Sequence, residues 1–205
     1  MTLWLRTTSP RSPTTWTGFP LTAPSSTLPT SNSTGVGPVL DLGCGPAQVA
    51  RYLTAPGLDV VGLDIATHML RLAAARMNSD LFACGDMRTL PFRSHSFRGV
   101  VAFYSIQHLP RSDLRIALRE IHRVLTTGGV LVVATHLGDG EIHLSEFLGH
   151  DIEPVGGTFY NEMELRDALA DESFWLEASL RRDPLPHEYQ SRRVYVTARR
   201  QVPFT

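Results

Sequence analysis

The sequence predicts an α/β fold: a doubly wound, seven-stranded, mostly parallel sheet with an antiparallel edge. Three observations predict it. From Val39 onward, short apolar runs rich in branched or aromatic residues alternate with helical patterns, as a parallel sheet covered by helices on both faces requires. The first run, Val-Leu-Asp-Leu, passes directly into Gly43-Cys44-Gly45-Pro46-Ala47-Gln48, a glycine turn that opens a helix. The last two runs are joined by a proline-bearing loop at 183–190 and read as an antiparallel hairpin.

The elements follow in order. Residues 38–42 form the first strand, 60–63 the second, 81–84 the third, 100–104 the fourth and 130–135 the fifth. Before the fifth, Ser112 is placed to cap a helix whose Leu114, Leu118, Ile121 and Leu125 share one face, ending at Gly128 and Gly129. Residues 137–160 are glycine-rich without a clear period and read as a long, functional loop. Asn161 with Glu164 forms a capping box for a helix through Ala170, and the strands at 174–180 and 193–198 complete the sheet.

Composition narrows the function classes. The chain has 205 residues, 42% of them apolar, and a formal charge of −1, which suits one α/β domain and gives no basic field for nucleic acid or an anionic membrane. The expected partner is a small molecule. Its two cysteines, Cys44 and Cys84, have neither metal-ligand nor disulfide spacing, so a reducing cytoplasm is expected and no metal is. No signal peptide or spanning segment is visible. Residues 1–36, crowded with Thr, Ser and Pro and poor in acids, are expected to be a disordered low-complexity tail ahead of a domain at 37–205.

The glycine turn carries the chemistry. Gly43 and Gly45 admit positive φ and a close approach of backbone amides, and a helix starting near Pro46 turns its positive end toward an anion, a carboxylate or a phosphate. A dinucleotide fingerprint needs a third glycine where this chain has Gln48, and it does not use Asp41. The Asp-x-Gly-x-Gly pattern instead resembles the first motif of class I S-adenosylmethionine-dependent methyltransferases, whose turn holds the methionine end of the cofactor.

Four further places extend that resemblance along 39–200, and each implies a role. Asp64 closes the second strand, where a carboxylate accepts the ribose hydroxyls, or caps the helix that begins near Ala66. Asp86 matches the acid that takes the adenine amino group, Met87 the backbone amide that meets a ring nitrogen, and Ile65 with Met69 the apolar surfaces on either side of adenine. The fourth strand runs out through Tyr104, Ser105 and His108, which places them near the methyl group. Residues 125–129 resemble the helix-to-strand turn of the family.

The resemblance implies a Rossmann-like methyltransferase fold with S-adenosyl-L-methionine as cofactor, binding at Asp41, Gly43, Cys44, Gly45, Asp64, Ile65, Met69, Asp86, Met87, Tyr104 and Ser105. For an acceptor that loses a proton, His108 is the first candidate base and His136 the second; His143, His150 and His187 are pocket residues at most. Tyr189 and Arg192 are within reach of the acceptor, and the arginines at 181, 182, 192, 193, 199 and 200 make the chain's end locally basic.

Two departures stand out. Ala47 holds a position where the family has glycine, which would bring a methyl group close to the methionine part of the cofactor. Residues 1–36 lack the family's opening Tyr-Asp-x-x-Ala-x-x-Tyr helix. The codons available to residues 1–8, read one base out of frame, can spell that motif, which points to a frameshifted start. Two alternatives therefore stay open: a weak or inactive cofactor-binding protein of the same fold, and a nicotinamide-dependent oxidoreductase.

Overall fold

The computed structural model describes residues 37–77, 81–147 and 150–201, with side chains for all of these except 143–155. The expectations for residues 1–36 lie outside the described residues.

Seven strands form the main sheet in the order β3-β2-β1-β4-β5-β9-β8. They are β1 (Val39–Leu42), β2 (Val60–Asp64), β3 (Phe82–Cys84), β4 (Phe97–Phe103), β5 (Leu125–His136), β8 (Phe174–Arg182) and β9 (Arg193–Arg200). The first five pair in parallel, and β9 runs antiparallel to both β5 and β8, so the predicted hairpin closes that side. The order reverses between β1 and β4, where open α/β sheets bind ligands at their carboxyl tips.

Alternation along β5 shows why the strands read as continuous apolar runs. Leu131 and Val133 face a core shared with α3 (Leu114–Val124) and α4 (Glu162–Asp171), where Leu118, Ile121, Leu165 and Leu169 are buried. Val130 and Val132 face the opposite core, built on α1 (Gln48–Thr54) and α2 (Thr67–Met77) through Ala50, Leu53 and Ala73. Both faces are covered, so neither register of polar residues interrupts the strand.

Four local expectations need correction. Residues 137–160 are not a structureless loop: β6 (Gly140–Phe147) and β7 (His150–Phe159) pair as a separate antiparallel ribbon. Its glycines and Pro154 hid the pairing, because both residue types weaken the signature of a strand. The base of the ribbon pins the tip of β4, since the Thr158 hydroxyl donates to the Leu109 carbonyl at 2.7 Å and the Tyr160 hydroxyl to that of Ile106 at 3.3 Å. Ser112 does not cap α3; it sits in a 3-10 turn at Arg111–Asp113 and its hydroxyl turns to Asp113. Asn161 does cap α4, accepting from the Glu164 amide at 2.8 Å, while the Glu164 carboxylate pairs with Arg111 instead of completing the box. Helix α1 begins at Gln48, later than Pro46 suggested.

Candidate functional site

The turn after β1 is shaped by close approach. Gly43 is left-handed at φ +73°, and a Cβ there would lie 2.3 Å from that of Ser105, so the turn can press against the tip of β4 only as glycine. At Gly45, φ is +50° and a Cβ would meet nothing within 4 Å, which leaves the outer side of the turn open. Cys44 points inward. Its sulfur lies 2.9 Å from where a Gly62 Cβ would stand, and burial pushes its thiol pKa up, so the side chain packs toward β2.

The turn amides are not aimed at an anion, as the sequence suggested. Those of Gly43 and Cys44 both donate to the Leu63 carbonyl, at 2.7 and 3.0 Å, and that of Gly45 donates to the Asp64 carboxylate at 2.8 Å. Folding the turn back onto β2 uses its donors internally. The other Asp64 oxygen accepts from the Ala66 amide at 2.8 Å, so the cap role is present. A carboxylate has about four acceptor positions, and the two bonds formed leave capacity for a pair of hydroxyls.

Asp41 lies beneath the turn. Only 1% exposed, it accepts from the Ala50 amide at 2.9 Å and fastens the first turn of α1. Burial pushes its pKa up to about 7, the Ala50 bond works against this, and the nearby Asp64 adds to it. The methyl of Ala47 also points inward, 2% exposed in the core beside Ala50 and Leu53, although its φ is +64°. The methyl thus packs on the core, and a glycine would match the left-handed backbone at this position.

At the tips of β2 and β3, Ile65 is 55% exposed and offers an apolar face beside Asp64. Met69, one helical turn further along, is buried, and Met87 packs on the main core. Asp86 is gripped by the Arg88 guanidinium, which also reaches Asp113 at 2.8 Å, and this pairing holds the Asp86 carboxyl below the usual carboxylate range. An adenine amino group would share that carboxylate with Arg88.

Beyond β4 the site changes character. Tyr104 is left-handed at φ +53°, a strained conformation for an aromatic residue, at the point where the chain leaves the sheet. Its hydroxyl meets that of Tyr195 at 2.9 Å. Ser105 is buried, and its hydroxyl oxygen has no hydrogen-bond partner although it stands against the glycine turn. His136 bonds through Nδ1 to the Ser191 hydroxyl at 2.6 Å and stacks on Phe159, with Tyr104 and Tyr189 ringed around it. Burial and the Arg193 charge pull its pKa down to about 4, so it is neutral at pH 7. His108 is exposed by area, yet its crowded setting lowers its pKa through desolvation, against a hydrogen bond with the Gly156 backbone and the charge of Asp64. His187 and Arg192 are exposed, and the side chains of His143 and His150 lie outside those described.

The sequence missed Tyr195, Ser191 and Phe159, and named the buried Arg193 only as one of the arginines of the basic end. Hairpin register was the available signal, because pairing β5 with β9 sets Ala134 against Tyr195 and His136 against Arg193.

Comparison with known proteins agrees with this fold. A family model described as a methyltransferase domain matches residues 40–133. The demethylmenaquinone methyltransferase of Thermotoga maritima is 40% identical over 129 residues, covering 59% of this chain and 55% of that one. The malonyl-[acyl-carrier protein] O-methyltransferase of Erwinia billingiae is 36% identical over 107 residues, covering 52% and 42%. The chain thus spans about half the length of the curated relatives it matches. A SAM-dependent methyltransferase structure from Methanosarcina mazei superposes with a TM-score of 0.72 at 19% identity, covering 80% of this chain and 92% of that one, which shows the shared fold. Among the described residues no helix is long and apolar enough to cross a membrane. Sheet order, the methyltransferase-domain match over residues 40–133 and the named relatives together support a class I S-adenosylmethionine-dependent methyltransferase.

Proposed function

We propose that this chain transfers the methyl group of S-adenosylmethionine to a small organic acceptor. One observation carries the reading: the buried, unpartnered Ser105 hydroxyl stands against the glycine turn, which opens outward at Gly45 beside Asp64. That surface is rich in acceptors, which suits the hydroxyls and the cationic portion of this cofactor better than a pyrophosphate. Asp64 would hold the ribose, Asp86 the adenine amino group, Ile65 one adenine face, and Ser105 the part near the methyl.

When bound, the cofactor supplies an activated sulfonium methyl, so the protein's task is alignment. The left-handed Tyr104 directs its ring from the end of β4 toward the acceptor side. His136 is neutral above pH 4 and so can accept a proton, although weakly, and its Ser191 bond fixes the ring. His108 is the other proton acceptor at the β4 tip.

The relatives' acceptors, a demethylmenaquinone and a malonyl-acyl carrier protein by name, differ from each other and do not select one here. Incubation with methyl-tritiated S-adenosylmethionine and a panel of phenols, carboxylic acids and amines tests the reading. Labelled product with stoichiometric S-adenosylhomocysteine is expected from at least one class. Cofactor binding without product from any class would instead mark a binding protein.

A further inference from the structure

The six arginines near the chain's end do not act together. Arg199 pairs with Glu177, Arg200 donates to the Leu125 carbonyl, and Arg181 pairs with Glu162. Arg182 and Arg193 lie elsewhere, at the tips of β8 and β9, in one lateral row with His136: His136 pairs with Arg193, and Arg193 with Arg182. Sheet neighbours share a face, so the row presents its three side chains to the same side.

Both guanidiniums are withdrawn from water, with side-chain exposures of 15% for Arg182 and 5% for Arg193. A single carboxylate serves them. Glu188 takes Arg182 through two bonds of 2.7 Å and stands 3.6 Å from Arg193. Arg193 also donates to the Ser191 carbonyl at 2.6 Å, and the buried Nε of Arg182 has no partner. His136 adds no charge at neutral pH. The row therefore holds one positive charge more than its counter-charge, in a setting where an unpaired buried charge is costly. Flat rings wall the same spot, with Phe159 stacked on His136 at 5.4 Å and Tyr189 edge-on at 6.0 Å.

Resting on the methyltransferase reading above, we propose that the acceptor is a small, flat organic monoanion whose carboxylate is held by the surplus charge of the Arg182–Arg193–Glu188 group. One carboxylate neutralises the surplus of one, and a guanidinium is shaped to receive it. Burial and the Tyr195 hydroxyl push the Tyr104 pKa up, and the charges of Arg193 and Arg182 act against this, which places their field at the tip of β4 where the acceptor would meet the methyl.

Benzoate and its neutral isostere benzamide are the probes, titrated at pH 7.5 into full-length protein saturated with S-adenosylhomocysteine. Wild type and Arg193→Lys should bind benzoate roughly tenfold more tightly than benzamide, the value of one charge-assisted contact. Arg193→Gln removes the surplus and keeps the Arg182–Glu188 pair, so its preference should collapse with unchanged S-adenosylhomocysteine affinity. Equal binding of the two probes by wild type, binding of neither, or a preference that survives in Arg193→Gln overturns the proposal. Should Arg193→Gln fail to fold, the wild-type and Arg193→Lys comparisons still decide. Loss of S-adenosylhomocysteine binding in wild type would instead strike the methyltransferase reading, and the benzoate comparison is then run without it.

Discussion

The two halves of the crevice are built on opposite plans. The half at β1, β2 and β3 is made of glycines, backbone and acids: Gly43 and Gly45 shape it, Asp41 and Asp64 brace it, and its bonds link segments close in sequence. The half at β4, β5 and β9 is made of aromatic and basic side chains joined across long separations, Tyr104 to Tyr195 over 91 positions and His136 to Ser191 over 55. The first plan suits a constant ligand, because a backbone turn cannot be retuned by one substitution. The second suits a variable one, since each side chain can change alone.

The largest effect should come from the turn. Gly43→Ala adds a Cβ 2.3 Å from Ser105 in a left-handed backbone, and should cost about 4 kcal/mol by urea denaturation and abolish S-adenosylhomocysteine binding. Gly45→Ala, facing open space, should lose only about 1 kcal/mol by the same melt. Equal costs would show that close approach is not what selects glycine here.

Titration separates the halves next. Asp41 has a folded pKa near 7, above its unfolded value, so its contribution to stability falls as pH rises from about 4 to 7. Asp41→Asn should therefore gain about 3 kcal/mol at pH 8, with the gain vanishing near pH 4. His136 has a folded pKa near 4, below its unfolded value, so its contribution is lost as pH falls below about 6.5. His136→Asn should remove about 1–2 kcal/mol of that acid-side loss, discounted for partial exposure. The two slopes oppose each other between about pH 4.5 and 6.5. Thermal melts across that window should rise with pH in Asp41→Asn and fall in His136→Asn; slopes of the same sign would refute the assignment.

The smallest effect is at Ala47. Ala47→Gly relieves a left-handed alanine and loses a buried methyl, terms that cancel to within about 0.5 kcal/mol. Because that methyl faces the core, S-adenosylhomocysteine affinity should not change in the same calorimetric titration; a large gain would return the methyl to the cofactor side.

The contrast also explains what sequence could reveal. The strands, the switch point and Asp64 are local patterns of runs and turns, and they appear where the residues predict. Met69 was less legible because helical spacing does not distinguish a face toward the crevice from one toward the core. The role of Tyr195 and the separation of Arg182 and Arg193 from Arg199 and Arg200 need strand register, which arises only when the hairpin closes on β5. The ribbon of β6 and β7 escaped notice because Gly140, Pro154, Gly156 and Gly157 interrupt the pattern by which a strand is read.

Calorimetric titration of S-adenosylhomocysteine into wild type and Asp64→Asn tests the central claim most directly. One-to-one binding by wild type, weakened by roughly 10–100-fold in Asp64→Asn, is expected for a carboxylate that holds the ribose, with no heat from NADH. Folded wild type that ignores S-adenosylhomocysteine, or a variant that binds it equally well, would contradict it.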